Sequence, residues 1–275
     1  MGEAIQFLAA PTVMCFILAG IHCYLGLHVL ARGVIFVDLS LAQVAALGAT
    51  IGLLLGFEHG STEAYFFSLA TTFLAASLFA LARKYERYFS QEAIIGIVYA
   101  LGSAAVVLLV ERLAHGAEHI KELLVGQILW VTWPTVFKTG LIYGGVGIAH
   151  YVFRHQLLGA SFGTSSGNTA IWDFLFYALF GVVITSSVSI VGVLQVFAYL
   201  IVPSIVSTLF FTTIRGRLLF GWLFGMVLSV IGMGLSYQWD LPSGAFIVVC
   251  FALVPIILLL LLPVIKFRGV NAAAI

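Results

Sequence analysis

The chain has 275 residues, of which 62% are hydrophobic and 8% charged, with a net charge of +1. Soluble domains carry about a quarter charged residues, so a soluble globular protein is excluded and an integral membrane protein expected. The few charges sit between apolar runs and give no ground for a nucleic-acid partner, and three cysteines inside apolar spans imply no disulfide framework.

A helix needs about 20 apolar residues to cross the hydrocarbon. By that measure nine spans are predicted, at roughly 6–30, 34–56, 63–82, 91–110, 134–153, 173–191, 193–214, 218–238 and 244–265. The first lacks a basic start and a small-residue cleavage site, so it reads as a retained span. A tenth apolar piece, Leu123–Val131, is too short to cross alone and is expected to be a re-entrant or half-length helix.

Basic residues fix an expected orientation. One set of connections holds Arg32, Arg83, Lys84, Arg87, Arg154, Arg215, Arg217, Lys266 and Arg268, and the other holds Arg112, Lys121 and Lys138. The richer set belongs in the cytoplasm, which puts the N-terminus outside and the C-terminus inside. Two connections exceed a tight hairpin. The outer one, about 111–122, places Glu111, His115, His119 and Glu122 on one face if helical. These ligand types suit zinc or manganese in a possible metal-capturing mouth, or a solvated acidic loop that contacts a carrier protein. The inner one, about 154–172, is rich in Gly and Ser and reads as a docking segment or a plain connector.

The stretch Ile190–Leu209 is apolar enough to span yet holds Gln195, Tyr199, Ser204, Ser207 and Pro203. Proline inside a helix frees a carbonyl that lipid cannot satisfy, so this helix must pack inside a bundle. Gln195, Tyr199, Pro203 and Ser207 follow at four-residue spacing and form one stripe. Gln195, Tyr199 and Ser204 are candidates to line a pathway, the alternative being helix-to-helix hydrogen bonding. Asp38, an ionisable residue at the edge of an apolar span, is a functional candidate or an interfacial cap. In the first span Cys15 and His22 share a face, and His28 follows Tyr24 by four; such buried groups are usually satisfied by neighbours. No GxxxxGK[ST] loop, HExxH or GxSxG occurs, so any ATP is bound by another chain, and an intramembrane enzyme is not expected.

Five segments in order resemble the ABC permeases that import zinc, manganese or iron: FVDLSLAQVAALG (36–48), EAIIGI (92–97), LLVGQILWVT (123–132), VGVLQVFAYLIVPSIVSTL (191–209) and LPSGAFIVV (241–249). The resemblance implies the type II ABC importer permease fold: one all-α transmembrane domain over 1–275. It also implies a second copy of the chain, cytoplasmic ABC ATPase subunits and an extracytoplasmic metal-binding protein as partners, in a bacterial inner or plasma membrane. The cargo would be a divalent ion, zinc favoured and manganese or iron open, with no permanent cofactor. Asp38 and Gln43 match the acidic and His positions of the early span, with the acid displaced by one place and Gln in place of His. Gln127 replaces an Asp in the third segment. The family docks its ATPase on a short helix with an acidic-Gly pair, to which Gly163 or Gly167 corresponds without the acid. A permease for a metal chelate such as a siderophore, and an ATPase-independent transporter or channel, are the rival readings.

Overall fold

The structure is a computed structural model that describes residues 2–58, 60–113, 116–164 and 169–261, without the side chains of 2–5, 116, 117 and 119. Ten α-helices follow in order: α1 Gly2–Arg32, α2 Val37–Leu54, α3 Thr62–Lys84, α4 Gln91–Val110, α5 Gly116–Val125, α6 Trp133–Val152, α7 Arg154–Phe162, α8 Ala170–Phe210, α9 Ile214–Trp239 and α10 Ser243–Leu261. A single 3-10 turn, Ile128–Trp130, separates α5 from α6, and the described residues contain no strand. With backbone groups satisfied inside each helix, this is the architecture that hydrocarbon permits. Hydroxyl caps set several starts: Ser61 Oγ accepts from the Ala64 N–H, Ser90 Oγ from Ala93 and Thr213 Oγ1 from Gly216.

Seven of these helices are long and apolar enough to cross a membrane. The chain is a multi-pass membrane protein. α8 is 41 residues long, about 60 Å if straight and twice the hydrocarbon thickness, and it is broken at Gly192 (φ 75°, ψ 165°). Contacts with α1 reveal what the break does. Asp173 meets Arg32 and Ser187 meets His22, so the first arm climbs α1 backwards. Past Gly192, Tyr199 lies beside Cys15 and Ser204 beside Cys23, so the second arm runs the other way along α1 and returns. The two arms, 170–191 and 193–210, are therefore the two spans expected on either side of residue 192. With α8 counted as two arms, the seven give eight of the nine expected spans; α6, at the place of the ninth, is a 20-residue helix that is not among the seven.

α8 is the axis of the bundle. Phe176, Tyr177, Phe180, Val183 and Ile184 of its first arm and Tyr199 and Leu200 of its second are fully buried, with α1, α2, α3, α9 and α10 packed around them. The expected short piece is also present: α5 and the 3-10 turn lie across the end of the bundle where α8 folds back. α7 lies at the opposite end, beside Arg32, Arg83 and Asp173.

Candidate translocation site

At the α7 end, α1 stops at Arg32 and turns through Gly33, whose φ is 68°. The cap of α2 is Phe36, which has no side-chain acceptor to offer. Its exposed N–H is instead held by Glu92 Oε1 at 3.2 Å, from the first turn of α4. Asp38, in the first turn of α2, is 1% exposed, and its carboxylate oxygens make no hydrogen bond of normal distance and angle, the N–H groups of Asp38 and Leu39 being the donors beside them. Glu92 Oε2 and the hydroxyl of Ser40 are likewise buried without a partner, and Glu92 is the charge that acts on Asp38. Three such oxygens, on Asp38 and Glu92, thus belong to the facing starts of α2 and α4, whereas Ser40, about 200° round α2 from Asp38, does not share their face. Buried polar atoms are nearly always bonded, so such a group marks a place where something else binds.

Gln43 is half-buried on the α2 face that packs against Gly102 of α4. α2 is one continuous helix from Val37 to Leu54, so five residues separate Gln43 from Asp38 by about 140° and the two do not share a face.

The stripe on the second arm of α8 divides. Tyr199 bonds the Ser229 hydroxyl at 2.7 Å and packs edge-on against Phe251, which ties it to α9 and α10. Ser204 donates to the carbonyls of Leu200 at 2.7 Å and Cys23 at 3.1 Å, which ties it to α1. Gln195 is fully buried and makes no hydrogen bond of normal distance and angle. It lies one turn beyond the α8 break, beside Gly244 of α10.

At the α5 end, the Gln127 N–H donates to the Ile190 carbonyl at 3.1 Å, one of the groups the break sets free. The Gln127 amide donates to Glu122 Oε1 at 2.7 Å. Beneath α5 a cavity of about 220 Å³ is lined by Tyr65, Ser68, Glu122, Lys138, Ser186 and Ser189 among others. Glu111 is exposed at the end of α4. His115 lies outside the described residues, as does the side chain of His119, so Glu111 and Glu122 alone of that set are placed. In the first span, His22 donates Nδ1–H to the Leu18 carbonyl at 2.8 Å and Nε2 bonds Ser187 at 3.1 Å, so neighbours satisfy it. No cluster of three or more His, Cys, Asp or Glu that could hold a metal occurs among the described residues.

α7 ends at Gly163 in the left-handed conformation, φ 70°; Gly167 is outside the described residues. Beside α7 lies a buried ion cluster. Arg32 Nη1 is 2.6 Å from Asp173 Oδ1, and Arg83 Nε is 3.5 Å from Asp173 Oδ2. The Arg32 guanidinium stacks 4.2 Å over the Phe176 ring.

A model of the ABC 3 transport family matches residues 4–262, nearly the whole chain. The chain belongs to the ABC 3 transport family. Curated relatives of this ABC 3 chain include the manganese transport system membrane protein MntC of Listeria innocua, 23% identical over 87% of this chain and 85% of that one. The manganese import system permease protein ScaB of Streptococcus gordonii is 23% identical over 90% and 89%. In fold the ABC 3 chain is similar to a chain of PsaBC from Streptococcus pneumoniae in complex with Fab, with a TM-score of 0.75, 20% identity and 91% of each chain covered.

Two sets of residues appear in the sequence reading, Glu92 as the acid of EAIIGI and Arg32 and Arg83 among the basic residues of the connections, but not as site candidates. Glu92 opens a span and looks like any acidic first-turn residue. Arg32, Arg83, Asp173 and Ser161 are far apart in sequence, and a charge at a span boundary does not announce its partner.

Proposed function

We propose that this ABC 3 chain is the membrane permease of an ATP-driven importer of a divalent metal ion, manganese or iron(II) ahead of zinc. The observation that carries the reading is the pair of facing carboxylates, Asp38 and Glu92, with three buried oxygens that make no hydrogen bond of normal distance and angle. A buried carboxylate is costly unless neutralised, and a cation is the neutralising group a transporter supplies. Carboxylate oxygens suit manganese, whereas zinc favours nitrogen and sulfur. Gln43, where the resemblance implies a His, adds no imidazole. The manganese names of the relatives support the same cargo. Zinc, favoured on family resemblance alone, therefore moves to second place.

The proposed path descends from the α5 end, past Gln195, to Asp38 and Glu92. Glu111 and Glu122 at that end would receive the ion from an extracytoplasmic metal-binding protein. The opposite end, rich in arginine, would face the cytoplasm, where ABC ATPase subunits dock on α7 near Gly163. A second copy of the chain would complete the path. Two oxygen groups bind weakly enough to release the ion, as transport demands. ATP hydrolysis would belong to the partner, and the metal ion is cargo.

The test is uptake of manganese, iron(II) and zinc by proteoliposomes holding this chain with its ATPase, for wild type, Asp38→Asn and Glu92→Gln. The expected result is ATP-dependent uptake of manganese or iron(II), reduced about tenfold or more in each variant with the complex intact. Uptake of zinc alone, or variants that transport normally, would refute the assignment.

A further inference from the structure

We propose that Ser161 of α7 is a positioning residue for transport, the joint through which movement of α7 reaches the carboxylates of Asp38 and Glu92. This rests on the reading of α7 as the ATPase-docking helix. Two adjacent residues fasten α7 to the bundle, one through its side chain and one through its backbone carbonyl. Ser161, 3% exposed, accepts from Arg32 Nε at 2.9 Å and bonds His28 Nδ1 at 2.8 Å. One residue earlier, the Ala160 carbonyl accepts from Arg83 Nη2 at 2.8 Å. Both arginines then converge on the single carboxylate of Asp173, which also accepts from Thr169 Oγ1 at 3.0 Å. Two cations face one anion. Such a cluster holds its members by short charge-assisted bonds in a medium that screens poorly, so it moves as a unit or breaks.

From the cluster two short links lead to the orphan oxygens. The first runs along the backbone: Arg32 is followed by the Gly33 turn, closed by Gly33 N–H to Leu30 O at 3.1 Å and Val34 N–H to Val29 O at 3.3 Å. That turn delivers Phe36 to Glu92 and Asp38 to the start of α2. The second runs through α8: Tyr177, one turn beyond Asp173, accepts from Gln91 Nε2 at 2.8 Å, and Gln91 also donates to the Phe79 carbonyl at 2.9 Å. Gln91 is the neighbour of Glu92. A displacement of α7 therefore acts on both carboxylate-bearing helix starts through bonds that are few, buried and directional. Ser161 is the member whose removal cuts the side-chain tie to Arg32 and His28 and leaves the Arg83–Ala160 bond and the Arg32–Asp173 pair in place.

The experiment uses the full chain reconstituted with its ATPase and measures metal moved per ATP hydrolysed. Ser161→Ala removes one oxygen from a helix outside the hydrophobic spans. The expected result is an assembled complex that still hydrolyses ATP but moves roughly fivefold fewer ions per ATP, the lower end of ordinary coupling between sites. Ser161→Thr, which keeps the hydroxyl, is expected to recover the wild-type ratio to within about twofold, and Asp173→Asn to lower it at least as far as Ser161→Ala. An unchanged ratio in Ser161→Ala overturns the proposal, and so does a fall in uptake matched by an equal fall in hydrolysis or in assembled complex. A wild-type chain that recruits no ATPase overturns instead the permease reading beneath it.

Discussion

Asp38 is 1% exposed and carries two oxygens that make no hydrogen bond of normal distance and angle. Folding with a carboxylate so placed costs stability, and the cost is recovered only by a proton or a cation. It follows that Asp38→Asn should make the metal-free protein more stable by about 1 kcal/mol, while removing the stabilisation that manganese gives. The measurement is a thermal melt in detergent with and without manganese. The wild type should gain about 2.7 kcal/mol at a hundredfold excess over its dissociation constant, and the variant little. An Asp38→Asn chain that melts lower than wild type and still gains from manganese would refute this. Asp38 is legible in the sequence because an ionisable residue stands out against an apolar run. The hydroxyls are not legible in this way: Ser204 and Tyr199 stand on the same helix as Gln195, yet their bonds to Cys23 and Ser229 reach two other helices, α1 and α9. A stripe in one helix cannot tell which of its members the neighbours will take up.

Among the elements, α8 and α5 depend on each other. The break at residue 192 is legible because a 41-residue apolar run is twice too long for one crossing. What fills the break is not, since it comes from 65 positions upstream in the contact of Gln127 N–H with the Ile190 carbonyl. There the two backbones meet with no room for side chains. A Cβ on Gly126 would lie 2.1 Å from the Val191 carbonyl carbon, and one on Gly192 would lie 2.5 Å from the Gly126 nitrogen. Gly192 also needs its φ of 75°, which other residues rarely adopt. Gly192→Ala and Gly126→Ala should therefore each cost about 3 kcal/mol or more, combining backbone strain with a clash that only backbone movement relieves. Gly144→Ala on α6, where nothing lies within 4 Å of the new methyl, should stay within about 1 kcal/mol of wild type. Thermal melts of the three purified variants check this. A tolerated Gly192→Ala would mean that α5 does not seat in the break.

For the whole molecule, the reversal at Gly192 decides which end every later charge occupies. If α8 ran straight, Arg215 and Arg217 would emerge at the α5 end, with Arg112, Lys121 and Lys138, and the basic residues among those described would be split evenly. Folded back, α8 returns them to the end that holds Arg32, Arg83, Lys84, Arg87 and Arg154. That is the end which the proposed orientation puts in the cytoplasm, by the excess of basic residues there. Single cysteines test it directly in intact cells, using a maleimide that does not cross the membrane. Cys15 and Cys23 are buried and Cys250 half-buried, so a Cys250→Ser background should label little. Arg87→Cys and Arg215→Cys, both exposed at the basic end, should stay unlabelled until the cells are opened, and Glu58→Cys, exposed at the α5 end, should label at once. Labelling of both arginine positions from outside, with Glu58→Cys protected, would invert the orientation and with it the direction of transport. Labelling of Arg215→Cys alone would show instead that the second arm does not return.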